Sequence, residues 1–168
     1  MQAFRTDSTL RLIQISVLVM FGVYAGLVAI GNLQDPETNL VFIEHVLRMD
    51  TTFERPTLMS RSIESPSLHR AAFVVIVLSE AVVSLLCLFG AIGLGRRFRA
   101  NAESFHSAKG LGLLGLGGGL VLWFFGFQVV GGEWFVSWQS ADWNALLTAF
   151  RISSFALLGL ILLTLRVD

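Results

Sequence analysis

Two charged residues sit inside runs that are otherwise apolar: Glu80 and Arg151. A charge at the centre of a bilayer costs about 2.5–3.5 kcal/mol on insertion scales, so such residues face a partner or a cavity. The chemistry open to them is ion pairing, proton relay or the handling of a small solute. Uncharged polar groups fall at the same level. Gln128 lies toward the end of the third apolar run, and Asn32 follows the first. Asn144, Thr148 and Arg151 share one helical face at i, i+4 and i+7 spacing, and Glu80 shares a face with Ser84. We expect an interhelical ion pair between Glu80 and Arg151 within a polar cluster. Such a cluster either locks helix register by hydrogen bonding or marks a transport path.

A second constellation is aromatic. The stretch 131–144 carries Glu133, Trp134, Trp138, Gln139 and Trp143, with three of the four tryptophans of the chain. Tryptophan favours the bilayer boundary because its ring is apolar while its N–H wants a partner. The bland reading is an interfacial belt. The sharper one is a shelf for a ligand or a quinone headgroup.

The elements that position these residues follow from composition. The chain has 168 residues, 54% of them hydrophobic and 14% charged, with a mean hydropathy of +0.71. Soluble domains carry about 25% charged residues, so lipid is the expected solvent. A membrane helix needs about 20 mostly apolar residues. Four such runs occur, at about 12–31, 71–95, 111–130 and 145–165. The backbone has no hydrogen-bond partner in lipid, which makes them helices; strands of a barrel would alternate polar and apolar. The fold class is therefore all-α: a four-transmembrane-helix bundle, with residues 1–168 forming one integral membrane domain. Arg5 and Arg11 before the first run imitate a signal peptide, but that run exceeds the roughly 7–15 residues of a signal core, so a retained helix is expected.

Lys and Arg placement sets orientation. Arg5 and Arg11 precede the first span; Arg96, Arg97, Arg99 and Lys109 fill the second connection; Arg166 follows the last span. The 131–144 connection has no Lys or Arg. Both termini are expected in the cytoplasm, with 32–70 and 131–144 as external connections. Arg48, Arg55, Arg61 and Arg70 in the 32–70 connection pull against this orientation.

That first connection is too long to be structureless in a compact domain. Asp35-Pro36-Glu37 is a helix start signal. Phe42, Val46 and Met49 then share a face opposite Glu44, Arg48 and Asp50. An amphipathic helix over 37–49 is expected, lying on the membrane surface or capping the bundle.

Other motifs carry less. Gly115/Gly119 and Gly22/Gly26 form GxxxG pairs, read as packing surfaces within the monomer or toward a partner. The glycine run at 110–119 is no phosphate loop, because no Lys-Ser/Thr follows it. Cys87 lies in an apolar run and reads as a buried, inert thiol. His45, His69 and His106 fall in connections or at helix ends, none of them mid-membrane, and read as ordinary surface histidines, so a haem held between helices is not expected. No cofactor and no metal are expected. A net charge of zero leaves no footprint for nucleic acid.

The segment 39–50, with Asn39, Phe42, His45, Val46, Met49 and Asp50, resembles a signature of a bacterial family of predicted small integral membrane proteins of unknown function. Gly132-Glu133-Trp134-Phe135, Trp138-Gln139-Ser140, Trp143-Asn144 and Phe150-Arg151 resemble its second signature, and Glu80 matches its acidic position in the second helix. The resemblance covers nearly the whole chain. It implies a four-helix protein of the bacterial inner membrane and supplies no activity.

Three functions remain open from the sequence. The first is a non-catalytic accessory or interaction subunit, in a larger membrane complex or a homo-oligomer. The second is a small transporter or proton-linked channel using Glu80 and Arg151. The third is a quinone- or lipid-handling enzyme built on the tryptophan motif.

Overall fold

The structure, a computed structural model, describes residues 6–166; Arg5 of the N-terminal basic pair lies outside the described residues. Four helical spans are long and apolar enough to cross a membrane, Thr6–Gln34, Pro66–Arg96, Ala102–Trp134 and Leu146–Thr164. Each contains or closely matches one of the expected runs.

The first span is α1 (Thr6–Gln34). Asp35 then starts α2 (Pro36–Arg48): its carboxylate accepts from Thr38 N at 3.3 Å, and Pro36 takes the first turn, where its missing N–H costs nothing. Met49 closes α2 in the left-handed region, φ 57°. A single turn, α3 (Pro56–Met59), precedes the second span, α4 (Pro66–Arg96), which again opens on a proline. The short α5 (Ala102–Ser107) is capped by Asn101 Oδ1, which accepts from Ser104 N at 2.9 Å. It leads into α6 (Gly110–Leu120). The last span is α7 (Leu146–Thr164).

The third span is not an ordinary helix throughout. From Val121 to Trp134 it winds as a π-helix, and at its end Phe135 N donates to Val130 O, five residues back, at 3.0 Å. The wider turn rotates the side chains that follow relative to an α-helix. Hydropathy reports apolarity but not winding, so the reading of 111–130 gave no sign of it.

α1 packs on α4, α4 on α6, α6 on α7, and α7 closes back on α1. Leu18, Phe21 and Ala25 of α1 meet Val83, Cys87 and Ala91 of α4, Leu116 and Trp123 of the third span, and Ile152 and Ala156 of α7. Glycine makes the approach possible. A Cβ on Gly90 would lie 2.6 Å from Gly112 N, backbone on backbone. A Cβ on Gly115 would meet Cys87 Sγ, and one on Gly119 the ring of Phe21. Gly22 and Gly26 pack on Leu88 and Ser84. Both GxxxG pairs are therefore taken up inside the monomer.

By the helical rise, α1 and α4 are roughly 43 and 46 Å long, against about 30 Å of hydrocarbon. The excess carries the cap. α2 packs on α4 and the end of α1, and Met49, Phe135 and Val136 form a second apolar cluster there. Of the two expected settings for the amphipathic helix, it caps the bundle. We call this the cap end and the opposite one the terminal end.

Candidate functional site

Glu80 is buried in the face of α4 that meets α1, together with Val77, Val83, Ser84 and Cys87. Its partner is Asn32, near the end of α1: Asn32 Nδ2 donates to Glu80 Oε2 at 2.7 Å. One turn further along α4, Ser84 Oγ donates to Gly22 O at 2.7 Å. These bonds tie α1 to α4 in a buried interface, and Glu80 is only 2% exposed.

The expected Glu80–Arg151 ion pair does not form. Arg151 is exposed and makes no hydrogen bond or ion pair among the described residues. The reason is the rotation of α7. Its buried face is Ala149, Ile152, Ser153, Ala156, Gly159 and Leu163, which leaves Arg151 on the surface that a membrane helix turns to lipid. Asn144 and Thr148, expected to point inward with it, are also exposed. Asn144 Oδ1 instead caps α7 by accepting from Leu146 N at 3.0 Å. Gln128 does bind α7, but through Ser153: its Nε2 donates to Ser153 Oγ at 2.9 Å. The predicted cluster thus separates into an α1–α4 pair, a link from the third span to α7, and a solitary arginine.

Arg151 lines a groove between α1 and α7, of about 440 Å³, with Met20, Tyr24, Phe155, Leu158 and Leu162 among its walls. A separate apolar cavity of about 260 Å³ lies under the cap, between Ile43 and Leu47 of α2, Val75 and Ile76 of α4, and Phe127 and Val130 of the π-helix.

The tryptophan motif interlocks with the first connection. His45 stacks on Trp143, ring centroids 4.3 Å apart and planes 15° apart, and its Nδ1 lies 2.8 Å from Asp50 Oδ1. Thr51 Oγ1 donates to Ser140 Oγ at 2.8 Å, and Phe53 N donates to Gln139 Oε1 at 2.9 Å. Arg61 lies over the ring of Trp134 at 4.6 Å and donates to Trp134 O. The Phe53 and Trp138 rings meet edge-on. Glu133 is exposed beside them, and Trp134 and Trp138 are about half exposed, at 54% and 49%. The first connection and the tryptophan segment thus form one interlocked surface at the cap end.

Of the three histidines read as surface groups, His69 is the one the structure corrects. His69 is buried, its Nε2 2.7 Å from Ile63 O, and His45 is held between Trp143 and Asp50.

The terminal end holds polar residues that were read only as topology markers or not singled out at all. Arg11 is buried: its Nη1 donates to Phe98 O at 2.9 Å and Ala100 O at 2.6 Å, and its guanidinium lies over Phe105 at 4.7 Å. Lys109 Nζ donates to Leu165 O at 2.7 Å. Gln14 Nε2 donates to Leu162 O at 2.8 Å and Leu165 O at 3.2 Å. These donors satisfy carbonyls left open where α4 and α7 end. The signal available was position: polar side chains within reach of helix C-termini.

Residues 10–166, nearly all of the described chain, match one family model. The chain belongs to the DUF2165 family, described as predicted small integral membrane protein. No curated protein and no solved structure matches it. Membership in DUF2165 agrees with the resemblance drawn from the sequence and covers the cap as well as the spans.

Proposed function

We propose that this protein is a non-catalytic interaction subunit of the bacterial inner membrane, both termini cytoplasmic, that presents its cap to a partner or to further copies of itself. The supporting observation is the fixing of exposed aromatic rings. Trp134 is clamped by Arg61, and Trp138 is set against Phe53, whose own N–H is bound by Gln139. An interfacial anchor needs no such fixing, since the boundary takes tryptophan in many orientations. Rigid, half-exposed tryptophan and arginine are what protein interfaces use as anchors.

The polar groups of the bundle support the same reading over transport. Glu80 and Asn32 line neither the cap cavity nor the α1–α7 groove. They tie helices together instead.

Native mass spectrometry from mild detergent tests this. The expected result is an assembly larger than the monomer that is lost on Trp134→Ala with Trp138→Ala, while the melting temperature of the chain itself holds. A partner-free monomer extracted from its native membrane overturns the proposal. Reporter fusions at each terminus and at the cap test the orientation.

A further inference from the structure

The α1–α7 groove is apolar along its length and carries one charge, at one end. Val17, Met20 and Tyr24 form the α1 wall; Phe155, Leu158 and Leu162 continue the α7 wall away from Arg151. Its long axis therefore follows the membrane normal. From Arg151 to Leu162 it runs roughly 16 Å by the helical rise, about half of the 30 Å hydrocarbon thickness. That is the depth of one leaflet. The charged end lies toward the cap, where α7 begins, and Arg151 is only about 7 Å below the first residue of α7 along the axis. An arginine at that depth reaches the boundary by extending its guanidinium outward. No acid pairs with it among the described residues: Glu80 is turned into the α1–α4 interface and held by Asn32.

We infer that this groove is a binding site for one anionic phospholipid of the cap-side leaflet, its phosphate on Arg151 beside the Tyr24 hydroxyl and one acyl chain laid along Met20, Phe155, Leu158 and Leu162. Charge complementarity selects the occupant. A zwitterionic lipid brings its own cation to the site, and a neutral chain leaves Arg151 unmatched. The guanidinium fork suits phosphate oxygens, and charge-assisted bonds of this kind are the stronger class. The inference stands independently of any partner at the cap.

The test is native mass spectrometry of the full chain in mild detergent, titrated with phosphatidylglycerol or with phosphatidylcholine of the same acyl chains. The wild type is expected to bind phosphatidylglycerol about tenfold more tightly. Arg151→Gln should bring the ratio to about one, and Arg151→Lys should keep part of it. Leu158→Trp, which fills the groove, should weaken both lipids by about tenfold or more. Wild-type protein labelled by a phosphatidylglycerol with a photoreactive acyl chain should carry the label on peptides containing Met20, Phe155 or Leu158, a readout that needs no variant to fold. Equal affinity for the two lipids overturns the inference, as does a preference that survives Arg151→Gln or a label confined to other helices. Displacement of the lipid by inorganic phosphate at equal concentration would show that the headgroup alone binds, and a dimer interface that buries Arg151 would show that a second copy fills the groove. Either outcome also overturns it.

Discussion

Asn32 reaches across from α1 to bind the carboxylate of Glu80 at 2.7 Å, and both side chains are buried. The bond closes the cap end of the α1–α4 interface. Its partners are unequal. Removing Asn32 leaves a carboxyl group in an apolar setting, while removing both leaves two helices that can pack on each other.

Asn32→Leu is therefore expected to lower stability by about 1–2 kcal/mol, the cost of a buried polar group that loses its partner. Asn32→Leu with Glu80→Leu should recover part of that loss. Glu80→Gln keeps a carbonyl oxygen for Asn32 and should cost less than either single leucine. The coupling between the two positions should lie between the average of about 0.6 kcal/mol and the maximum of about 1.7 kcal/mol for membrane hydrogen bonds. A double-mutant cycle on unfolding in detergent reads all of these, and additive effects would show that the two residues do not depend on each other.

The cap should behave as a cooperative unit distinct from the bundle. Trp143 joins it through its stack on His45 and its ring contact with Phe42, an aromatic pairing worth about 0.5–1.5 kcal/mol beyond its buried area. Trp143→Ala should raise hydrogen exchange across α2 while the amides of α4 and α6 keep their protection. Equal acceleration in the spans would show that cap and bundle open together.

What the sequence made legible, and what it hid, separates cleanly by physics. Run length and apolarity set the spans, because lipid demands both, and Asp35-Pro36 set the start of α2 because capping is local. The facing of α7 was not legible from Asn144, Thr148 and Arg151. Their i, i+4, i+7 spacing says that they share a face, not where it points. The stripe that points inward, Ala149, Ser153, Ala156 and Gly159, is the one small enough to let helices approach. Weighing size above polarity would have turned α7 the right way. Arg11 and Lys109 were legible as charges, and their burial was not, because their acceptors are carbonyls supplied by helix ends far along the chain. The π-winding of Val121–Trp134 left no trace in hydropathy.

Glycine positions allow a sharp comparison within one helix. A Cβ at Gly90 would press on the backbone of Gly112 at 2.6 Å, whereas one at Gly93 meets nothing within 4 Å. Gly90→Ala should destabilise by about 1–3 kcal/mol, since backbone cannot step aside as a flexible side chain can. Gly93→Ala should be neutral or stabilise by up to about 1 kcal/mol through helix propensity. Melting temperatures of the two variants in one detergent give the ordering directly, and a Gly90→Ala protein as stable as Gly93→Ala would mean that α4 and α6 do not approach as described.

Arg11 offers the last and most discriminating substitution, because its charge and its geometry make separate contributions. One nitrogen of the fork, Nη1, serves two carbonyls, Phe98 O and Ala100 O, while the flat guanidinium covers Phe105. Lysine keeps the charge that topology rules count, but its ammonium ends short of the Nη1 position and it has no plane to lay over Phe105. Arg11→Lys is therefore expected to preserve orientation in the membrane and still to lose about 1.5–3 kcal/mol, the range for hydrogen bonds to a charged group. Arg11→Gln should lose at least as much. Reporter fusions read orientation and unfolding in detergent reads stability, so the two roles come apart in one experiment. Should Arg11→Lys match the wild type in both, Arg11 acts through its charge alone and the bonds to Phe98 and Ala100 contribute nothing.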